Sequence, residues 1–479
     1  MLPYKSLLKI DAKGKKPRYE QLAAGLHHLI NKGLIPPGTK LPSSRLLAEL
    51  LQLHRKTVTA AYEELIHQGW ISSKNKSGYY VNPDMPITKV AVKKATAPKY
   101  PAKLPVPLHF SNILPPAGKL QGLFLDDGLP DPRIAPYKPL LRELRALTDR
   151  PHQLKKLNHG TSAGSSRLAR ALAAHLADSR GIHLSAPNIY VTNGGQMGIY
   201  LVSKALLSPG DVVLAGAPGY SLANQAFTSN GARVTTVPVD EHGINVDKIG
   251  AICKRKKVKA VYVIPHHHYP TTVTLSPERR MKLLALSEQY NFIIIEDDYD
   301  YDYHYASAPH LPMASYHHQG RVVYIGSLSK SLSASLRLGF IAGTEDLIGA
   351  VQHFRKMVDI RSDILLENAV ANLFEQGEIA RHTRKANKLY KERRDYLCRL
   401  LDQHLGNIIS YRVPDGGMSV WMKFPELLPV RAIGERLQQQ GISFHRHMLF
   451  DEGDLNHMRL GFASLNFGEI NKFLNSLPS

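Results

Sequence analysis

Seven short apolar runs between residues 189 and 342 constrain the fold of this chain more than any other feature. Helical patterns separate most of these runs. Short all-apolar strands that alternate with helices predict a largely parallel sheet covered on both faces. The runs are residues 189–191, 212–215, 234–237, 260–264, 292–295, 322–325 and 340–342.

The loop after the sixth run carries a lysine among small residues. It reads Gly-Ser-Leu-Ser-Lys-Ser-Leu-Ser-Ala-Ser-Leu-Arg and places Lys330 on a crowded turn, with Arg337 seven positions later. A lysine forms a Schiff base only when its lone pair is free, and a partly desolvated turn beside a group that lowers its pKa meets that condition. Taken alone, however, the segment fits an exposed Ser-rich loop better than an active site.

Three further loops at predicted strand ends suit a planar, phosphorylated ligand. Residues 192–196, Thr-Asn-Gly-Gly-Gln, open a helix whose free N–H groups favour a phosphate. Tyr220 stands on a tight turn, where it can stack on a planar ring or simply pack. Residues 296–300, Glu-Asp-Asp-Tyr-Asp, place carboxylates at a buried strand end, where each needs a partner. Asp297 suits a protonated pyridine nitrogen, and Tyr299 suits a ring phenolate.

Two other ligand classes fit the sequence less well. No G-x-x-x-x-G-K-[ST] pattern is present, which disfavours a nucleoside triphosphatase. The acids at 296–300 and the three histidines at 266–268 raise metal binding as an alternative. Three consecutive residues cannot share one face of a strand, and no His or Cys cluster at ligand spacing accompanies the acids. We therefore predict no metal site.

The first 81 residues have the pattern of a winged helix-turn-helix. Residues 19–32, 43–51 and 55–68 each predict an amphipathic helix, with a tight turn between the second and the third. Residues 69–81 predict a β-hairpin, which forms the wing.

Charge and side-chain placement indicate DNA as the partner of this domain. The chain has a net charge of +21, and residues 1–81 hold 13 Lys and Arg against 5 Asp and Glu. Side chains at the start of a recognition helix face base edges, while flanking cations neutralise phosphates. A protein–protein module is the alternative interpretation. Polar and cationic side chains stand at Ser44, Arg45, His54, Arg55, Lys56, Thr57, Lys74 and Lys76.

Composition predicts the remaining organisation of the chain. Residues 82–118 are rich in Pro, Lys and Ala without a steady period, which indicates a linker. Two cysteines cannot form a disulfide framework, and no stretch has the length of a signal peptide core or a membrane span. We expect a cytoplasmic, multi-domain protein. Its parts are a DNA-binding domain at 1–81, the linker at 82–118 and a domain at 119–479, with a large lobe at about 123–345 and a small lobe at about 346–479.

The N-terminal domain resembles the GntR class of bacterial winged-helix repressors. The segment PPGTKLPSSRLLAELLQLHRKTVTAAYEELIHQGWI matches the signature of that class, and the likeness covers nearly all of residues 17–81. The resemblance implies DNA contacts by Arg45, His54, Arg55, Thr59 and Gly78. His54 stands where Ser or Thr is commoner.

Residues 120–479 resemble fold-type-I aminotransferases, and a winged helix fused to such a domain resembles the MocR subfamily of GntR regulators. This implies an α/β fold-type-I aminotransferase-like domain with a smaller α+β C-terminal lobe. It also implies a head-to-tail homodimer and the cofactor pyridoxal 5'-phosphate. By the same resemblance Lys330 is the Schiff-base lysine, Asp297 pairs with the pyridine nitrogen, Tyr299 contacts the ring oxygen and Tyr220 stacks on the ring.

The resemblance also assigns the remaining site residues. Arg459 binds an effector carboxylate, and Gly128 belongs to a segment that closes over the cofactor. The sequence departs from the family at three positions. His159 replaces a tyrosine that reaches the phosphate from the neighbouring subunit, Thr272 replaces a glycine, and Leu222 replaces the second carboxylate-binding arginine of gamma-aminobutyrate-responsive members. The phosphate contacts are Gly194, Gly195, Gln196, Ser327 and Arg337.

The function implied by the resemblance is that of a DNA-binding transcriptional regulator dependent on pyridoxal 5'-phosphate. It senses an amine or amino acid through aldimine exchange at Lys330. One alternative is a catalytically active aminotransferase that carries a DNA-binding domain, since a freed Lys330 is a competent proton shuttle. A cofactor-free DNA-binding scaffold is a third possibility.

Overall fold

The computed structural model describes residues 2–11, 14, 16–74, 77–84, 122–149, 163–305 and 309–477. The chain divides into two units, Met1–Pro115 and Pro116–Ser479. Apart from residues 82–84, the predicted linker at 82–118 lies outside the described residues.

The described part of the first unit contains four helices followed by a β-hairpin. The two strands of the hairpin pair antiparallel, with Lys74 opposite Gly78. This order confirms the predicted winged helix-turn-helix. The elements are α1 (Tyr4–Leu7), α2 (Arg18–Asn31), α3 (Ser44–Leu51), α4 (Arg55–His67), β1 (Ile71–Lys74) and β2 (Gly78–Val81).

Local capping signals define the turn between α3 and α4. Ser43 Oγ accepts the N–H of Leu46 at 3.2 Å, and Gln52 ends α3 in the left-handed conformation. His54 caps α4, because its Nδ1 accepts the N–H of Lys56 at 3.2 Å. The imidazole thus accepts the backbone N–H that a Ser, Thr, Asp or Asn side chain usually accepts at an N-cap. The apolar faces of the helices meet in one buried core that includes Leu22, Leu26, Leu47, Val58, Ala61, Tyr62 and Leu65.

The second unit is built on an eight-stranded mixed sheet that contains all seven predicted strands. The strand order is β4-β11-β10-β9-β8-β5-β6-β7. Strands β10, β9, β8, β5 and β6 are parallel, whereas β11 runs antiparallel to both of its neighbours. After β3 (Leu123–Leu125), the strands are β4 (Ile189–Thr192), β5 (Val212–Ala217), β6 (Arg233–Asp240), β7 (Gly243–Ile244), β8 (Ala260–Val263), β9 (Ile293–Asp298), β10 (Val322–Ser327) and β11 (Gly339–Ala342).

Helices cover both faces of this sheet, as the all-apolar strands predict. Ala260 and Tyr262 of β8 pack on one side, and Val261 and Val263 pack on the other. The first side is covered by α7 (Gly195–Leu206), α8 (Ser221–Ser229) and α11 (Glu345–Asp359). The second is covered by α5 (Tyr137–Thr148), α6 (Ser166–Arg180), α9 (Val246–Cys253), α10 (Pro277–Tyr290) and α12 (Ile364–Glu375).

The C-terminal lobe is a small α+β layer with its own core. Its sheet has the order β12-β13-β16-β15 and is antiparallel, while β14 pairs in parallel with β3. The elements are α13 (Glu378–Leu405), β12 (Ser410–Tyr411), β13 (Ser419–Lys423), α14 (Val430–Gln439), β14 (Ile442–Phe444), β15 (Leu449–Phe450), β16 (His457–Gly461) and α15 (Phe467–Leu474).

The boundary between the lobes differs from the one expected near residue 345. Helices α11 and α12 bury Val351 and Val370 against the large sheet, so the large lobe extends to about residue 375. Conversely, β3 joins the C-terminal lobe, because Leu123 and Leu125 lie in that lobe's core. Helical periodicity shows that a face is buried, but it does not show which sheet the face packs against.

Candidate cofactor site and nucleic-acid interface

One edge of the eight-stranded sheet gathers the polar residues expected to form the site. The carboxyl ends of β4, β5, β8, β9 and β10 lie at this edge because these strands share one direction. Strand β11 begins there, since Gly339 pairs with both Ser327 and Thr192. We call the loops that meet at this edge the carboxyl edge.

An anion cradle lies where β4 turns into α7. Gly194 has a φ of +84°, and a Cβ built on it would lie 2.6 Å from Nη2 of Arg337. A Cβ on Gly339 would lie 2.7 Å from the carbonyl carbon of Gly194, and one on Gly195 would lie 3.9 Å from Ser327 Cβ. The glycines therefore let a guanidinium, a serine and a helix N-terminus converge, which suits a phosphate. Among the described residues, no carboxylate forms an ion pair with Arg337.

Gln196 lies beside this cradle on the first turn of α7. Its Nε2 donates to the carbonyl of Leu222 at 3.2 Å. Its Oε1 is buried and has no hydrogen-bond partner in the described part of the chain. Such an orphaned acceptor is costly unless a donor reaches it.

Asp297 is a buried carboxylate that faces the site from the end of β9. Its Oδ2 accepts the hydroxyl of Tyr262 at 2.5 Å. Burial raises the pKa of Asp297 to about 7, an effect that Tyr262 opposes and the carboxylates of Asp298 and Asp300 reinforce. A cationic N–H donor in front of Asp297 would stabilise its ionised form.

The carboxylates next to Asp297 are engaged elsewhere. Glu296 accepts the backbone N–H groups of Met313 and Ala314 at 2.8 and 2.9 Å. Asp298 accepts the hydroxyl of Tyr324 at 2.5 Å. Because alternate residues of a strand point to opposite faces, these two acids cannot serve the same ligand as Asp297.

Lys330 projects from the loop after β10. Its Nζ donates to the carbonyl of Gly128 at 2.5 Å and lies 5.9 Å from the ring centroid of Tyr299. Burial lowers the pKa of the Lys330 amine, although the carboxylates of Asp127 and Asp126 oppose this effect. The amine is thus held in place, with its neutral form favoured relative to an exposed lysine.

Two tyrosines border the space in front of Lys330. The hydroxyl of Tyr299 donates to the carbonyl of His267 at 2.7 Å and accepts from Nη2 of Arg459 at 3.1 Å. Tyr220 is half-buried, and its ring meets that of Tyr269 edge-on at 5.3 Å. Burial raises the pKa of Tyr220 to about 12, so its hydroxyl stays protonated near neutral pH.

Arg459 enters the site from β16. It is 2 % exposed and lies over the ring of Tyr269 at 4.8 Å. Its Nε donates to the carbonyl of Asp127 at 2.8 Å and its Nη1 to that of Pro270 at 2.7 Å. With the contact to Tyr299, these bonds use three of the five N–H groups of a guanidinium. The remaining two are suited to a carboxylate.

Gly128 links Lys330 to the C-terminal lobe. Its φ is +120°, and a Cβ there would lie 2.2 Å from Oγ of Ser419. Ser419 in turn donates to the carbonyl of Asp127 at 2.6 Å. A residue other than glycine would push this segment away from Lys330.

The residues expected to contact DNA lie at the start of α3 and α4. Arg45, His54 and Arg55 are exposed, and Arg55 Nε donates to Ser44 Oγ at 3.4 Å. Neither helix has an acidic residue in its first turn. Thr59 is half-buried, and its hydroxyl donates to the carbonyl of Arg55 at 3.1 Å.

The wing carries a cationic surface to which two segments contribute: Lys74 was expected from the sequence, whereas Lys40 was not. Lys40 and Lys74 lie 5.7 and 5.2 Å from the ring centroid of Tyr80. Gly78, with a φ of +114°, makes room for Lys40, whose Cε would lie 3.2 Å from a Cβ at that position. Lys40 reaches the wing through a backbone bridge to Tyr80. Because this bridge joins segments far apart in the sequence, the pattern of the hairpin alone could not predict the contribution of Lys40. Lys76 lies outside the described residues.

Family models match both parts of the chain. The model described as Aminotransferase class I and II matches residues 144–477, and the model described as Bacterial regulatory proteins, gntR family, matches residues 18–81. The chain belongs to the aminotransferase class I and II family. Its N-terminal domain is a gntR family domain.

Individual relatives share either this domain or the whole architecture. Aromatic-amino-acid aminotransferase 1 of Thermococcus litoralis is 32% identical over 71% of this chain and 83% of its own length. The probable rhizopine catabolism regulatory protein MocR of Rhizobium meliloti is 27% identical over 99% of this chain and 95% of its own length. The crystal structure of Pyrococcus horikoshii kynurenine aminotransferase has a TM-score of 0.68 at 28% identity, covering 74% of this chain and 89% of that one. This chain is therefore a MocR-type transcriptional regulator with an aminotransferase-like domain.

The departures from the aminotransferase pattern have distinct structural outcomes. Thr272 takes a φ of +62° at the position where the pattern has glycine, and its N–H bonds to the carbonyl of His268 at 2.7 Å. A β-branched residue in this conformation is strained. Leu222 is 41% exposed and offers no cation. His159 lies outside the described residues.

Sequence patterns missed Tyr262 and His447 at the carboxyl edge and raised His267 only as a possible metal ligand. Tyr262 bonds Asp297, His267 Nδ1 lies 2.7 Å from Oδ1 of Asp300, and Nε2 of His447 lies 3.4 Å from Oδ2 of Asp127. A tyrosine inside a buried apolar strand was the available signal for Tyr262. His447 gave no signal, because only the fold brings it to the site.

The three histidines at 266–268 are all buried but point to different partners. His266 Nε2 lies 2.7 Å from the carbonyl of His310, and His268 Nδ1 lies 2.8 Å from Thr271 Oγ1. In the described ranges, no group of three or more His, Cys, Asp or Glu side chains is arranged to hold a metal. Nor does any helix in these ranges combine the length and apolar character that a membrane span requires.

Proposed function

We propose that this regulator binds pyridoxal 5'-phosphate and senses an amine or amino acid through aldimine exchange at Lys330. The observation that supports this function is the convergence at the carboxyl edge of an anion cradle, a buried acid and a partly desolvated lysine. The fit is chemical as well as spatial. The Gly194 cradle and Arg337 suit a phosphate, and the carboxylate of Asp297, whose pKa burial raises, would be stabilised by a cationic N–H donor.

Each group then has a defined task. Gly194, Gly195, Gln196, Ser327 and Arg337 bind the phosphate. Asp297 holds a proton on the pyridine nitrogen, while Tyr262 keeps Asp297 in orientation. When bound, the cofactor supplies an electrophilic carbon that amines attack reversibly. Lys330 competes with the effector amine for this carbon, and Arg459 directs its two remaining N–H groups to an effector carboxylate.

The exchange at Lys330 changes how the winged helices bind DNA. Arg45, His54, Arg55, Thr59 and Gly78 contact the operator, and a head-to-tail homodimer presents two such domains to paired half-sites. An effector that binds one arrangement of the lobes better than another shifts the population between them. The parts at 1–81, 82–118 and 119–479 are the DNA reader, the linker and the sensor. We expect such a protein in the cytoplasm with its DNA.

Transamination is the second candidate function, and one observation favours it. The lowered pKa of Lys330 makes its amine, once released, a base able to move a proton at the effector's α-carbon. The kinship with Thermococcus litoralis aromatic-amino-acid aminotransferase 1 agrees with this chemistry.

One titration separates the candidates. Visible absorbance of the purified full chain is recorded against a panel of amines and amino acids, with and without operator DNA, while keto acid is assayed. The sensor predicts a saturable spectral change that persists without keto acid. Steady production of keto acid supports the enzyme instead, and a protein without any visible band, even after added pyridoxal 5'-phosphate, contradicts both.

A further inference from the structure

The opposite edge of the same sheet carries a cluster of exposed and half-buried cations that the proposed cofactor site does not use. Arg233 begins β6, and Lys259 directly precedes β8, so both lie where the amino ends of these parallel strands meet. These residues border a cavity of about 630 Å³ that also includes Asp211. The cluster, which we call the amino-edge patch, consists of Arg233, Lys254, Arg255, Lys256, Lys257 and Lys259.

The backbone of the amino-edge patch is firmly held, while its side chains reach solvent. The N–H groups of Arg255 and Lys256 both bond to the carbonyl of Ile252 at 2.9 Å. The N–H of Lys259 bonds to the carbonyl of Val212 at 2.8 Å. The four consecutive cations at 254–257 are all exposed. The side chains at 254–257 therefore extend into solvent from a backbone that hydrogen bonds hold in place, an arrangement suited to contacts with a charged surface.

The amino-edge patch lacks the counter-charges that other cations of the second unit have. Arg279 pairs with Asp240 at 2.6 Å, and Lys282 pairs with Asp247 at 2.5 Å. No member of the patch forms an ion pair with any residue that the structure describes. Asp211, the acid in the cavity, accepts the N–H of Ser208 at 2.8 Å. Like charges gathered in this way repel one another, so an anionic partner stabilises them.

The lining of the cavity indicates which anion fits. It contains glycine, valine, threonine and asparagine beside the charged residues but no aromatic side chain. A nucleotide base would find no aromatic ring to stack on, so recognition rests mainly on charge. A phosphodiester backbone offers repeated charge without requiring a shaped pocket. We propose that the amino-edge patch binds phosphates of the DNA that flanks the site held by the winged helix. This inference rests on the DNA binding of the proposed function.

The test compares full-length proteins on duplexes selected with the wild-type chain. One variant carries Lys254→Gln, Lys256→Gln and Lys257→Gln. The matched control carries Lys385→Gln, Lys388→Gln and Lys391→Gln, which remove the same charge from exposed positions of α13. Affinity is measured against salt concentration for a short selected duplex, for the same duplex with extended flanks, and for an extended scrambled duplex. Equal cofactor absorbance and equal thermal midpoints establish that the variants are folded.

Each phosphate contact contributes about 0.9 to the slope of log affinity against log salt. We expect the patch variant to lose about 2 to 3 units of slope on both extended duplexes, and much less on the short one, with an unchanged preference for the selected sequence. The control should lose less than about half a unit. If the patch variant has the same salt slope as the wild type on the extended duplexes, the inference is wrong. It is also wrong if micromolar tripolyphosphate removes the difference in DNA affinity between the wild type and the patch variant, because the patch would then be a site for a small polyphosphate. A wild-type chain that selects no duplex refutes the proposed function itself.

Discussion

The two edges of the large sheet differ in how their charged groups are buried and paired. At the carboxyl edge, Asp297 and Lys330 are removed from solvent and each has a neutral hydrogen-bond partner, the hydroxyl of Tyr262 and the carbonyl of Gly128. At the amino edge, Lys254 and Lys257 are exposed and unmatched among the described residues. Matched buried groups select a ligand by geometry, because an unpaired buried charge is costly. Exposed charges attract any polyanion and respond to salt.

The largest expected effect comes from Lys330→Ala. It removes the amine that competes with the effector. The visible absorbance band of the cofactor joined to Lys330, and its response to amines, should therefore be lost entirely. Lys256→Ala, which removes an exposed amine at the other edge, should leave both unchanged. Absorbance spectra of the two purified variants check this pair. A normal band in Lys330→Ala would remove the basis for placing the cofactor here.

The second prediction concerns the pH dependence of stability. Burial raises the pKa of Asp297 to about 7 from an unfolded value near 3.8, so the folded state favours the protonated acid. The associated stabilisation is present below pH 4 and is lost as pH rises through 7, by roughly 2–4 kcal/mol. Asp297→Asn should remove this part of the dependence of unfolding free energy on pH, and cofactor binding to the wild type should reduce it.

Denaturant unfolding of both proteins at pH 5 and pH 8, with and without cofactor, measures these slopes. Glu296 and Asp298 have pKa values raised by burial to about 7 and about 6, so both proteins retain a pH dependence, and the difference between them reports Asp297 together with its coupling to Asp298. Identical slopes for the wild type and Asp297→Asn would show that Asp297 is already ionised without the cofactor.

One glycine at each edge allows a matched comparison of the space available to an added Cβ. Gly194 has a φ of +84° and faces Arg337, whereas Gly210 has a φ of +88° with nothing within 4 Å of a Cβ. Both alanine variants carry similar backbone strain, but only Gly194→Ala intrudes on the anion cradle. We expect Gly194→Ala to weaken cofactor binding at least about tenfold, equivalent to about 1.4 kcal/mol, beyond any effect of Gly210→Ala. Equilibrium titration with pyridoxal 5'-phosphate measures both, and equal losses would contradict the cradle.

The smallest effect is expected from a single charge at the amino edge. Lys257→Gln should lower the salt slope on extended duplexes by about 0.9 and change cofactor affinity by less than about twofold. A larger change in cofactor affinity would mean that the two edges are coupled rather than independent.

Sequence patterns predicted the sheet well because most of its strands are buried on both faces and therefore apolar; β6, most of which is exposed or half-buried, is the exception. They also located Lys330, Asp297 and Arg337, since loops at parallel strand ends must meet at one edge. The amino-edge patch escaped notice. Its members at 233 and 254–259 become neighbours only through the pairing of β5 with both β6 and β8. In the sequence, positive charge stood out mainly in the first quarter of the chain.

The central claim is that Lys330 reports an amine to DNA, and one measurement tests it directly. Affinity of the full chain for a selected duplex is determined against amine concentration in the wild type and in Lys330→Ala. We predict a shift of about 5- to 150-fold in the wild type, with the same midpoint as the absorbance titration, and no shift in Lys330→Ala. A shift that survives in Lys330→Ala, or an absorbance change without any shift in wild-type DNA affinity, would contradict the claim.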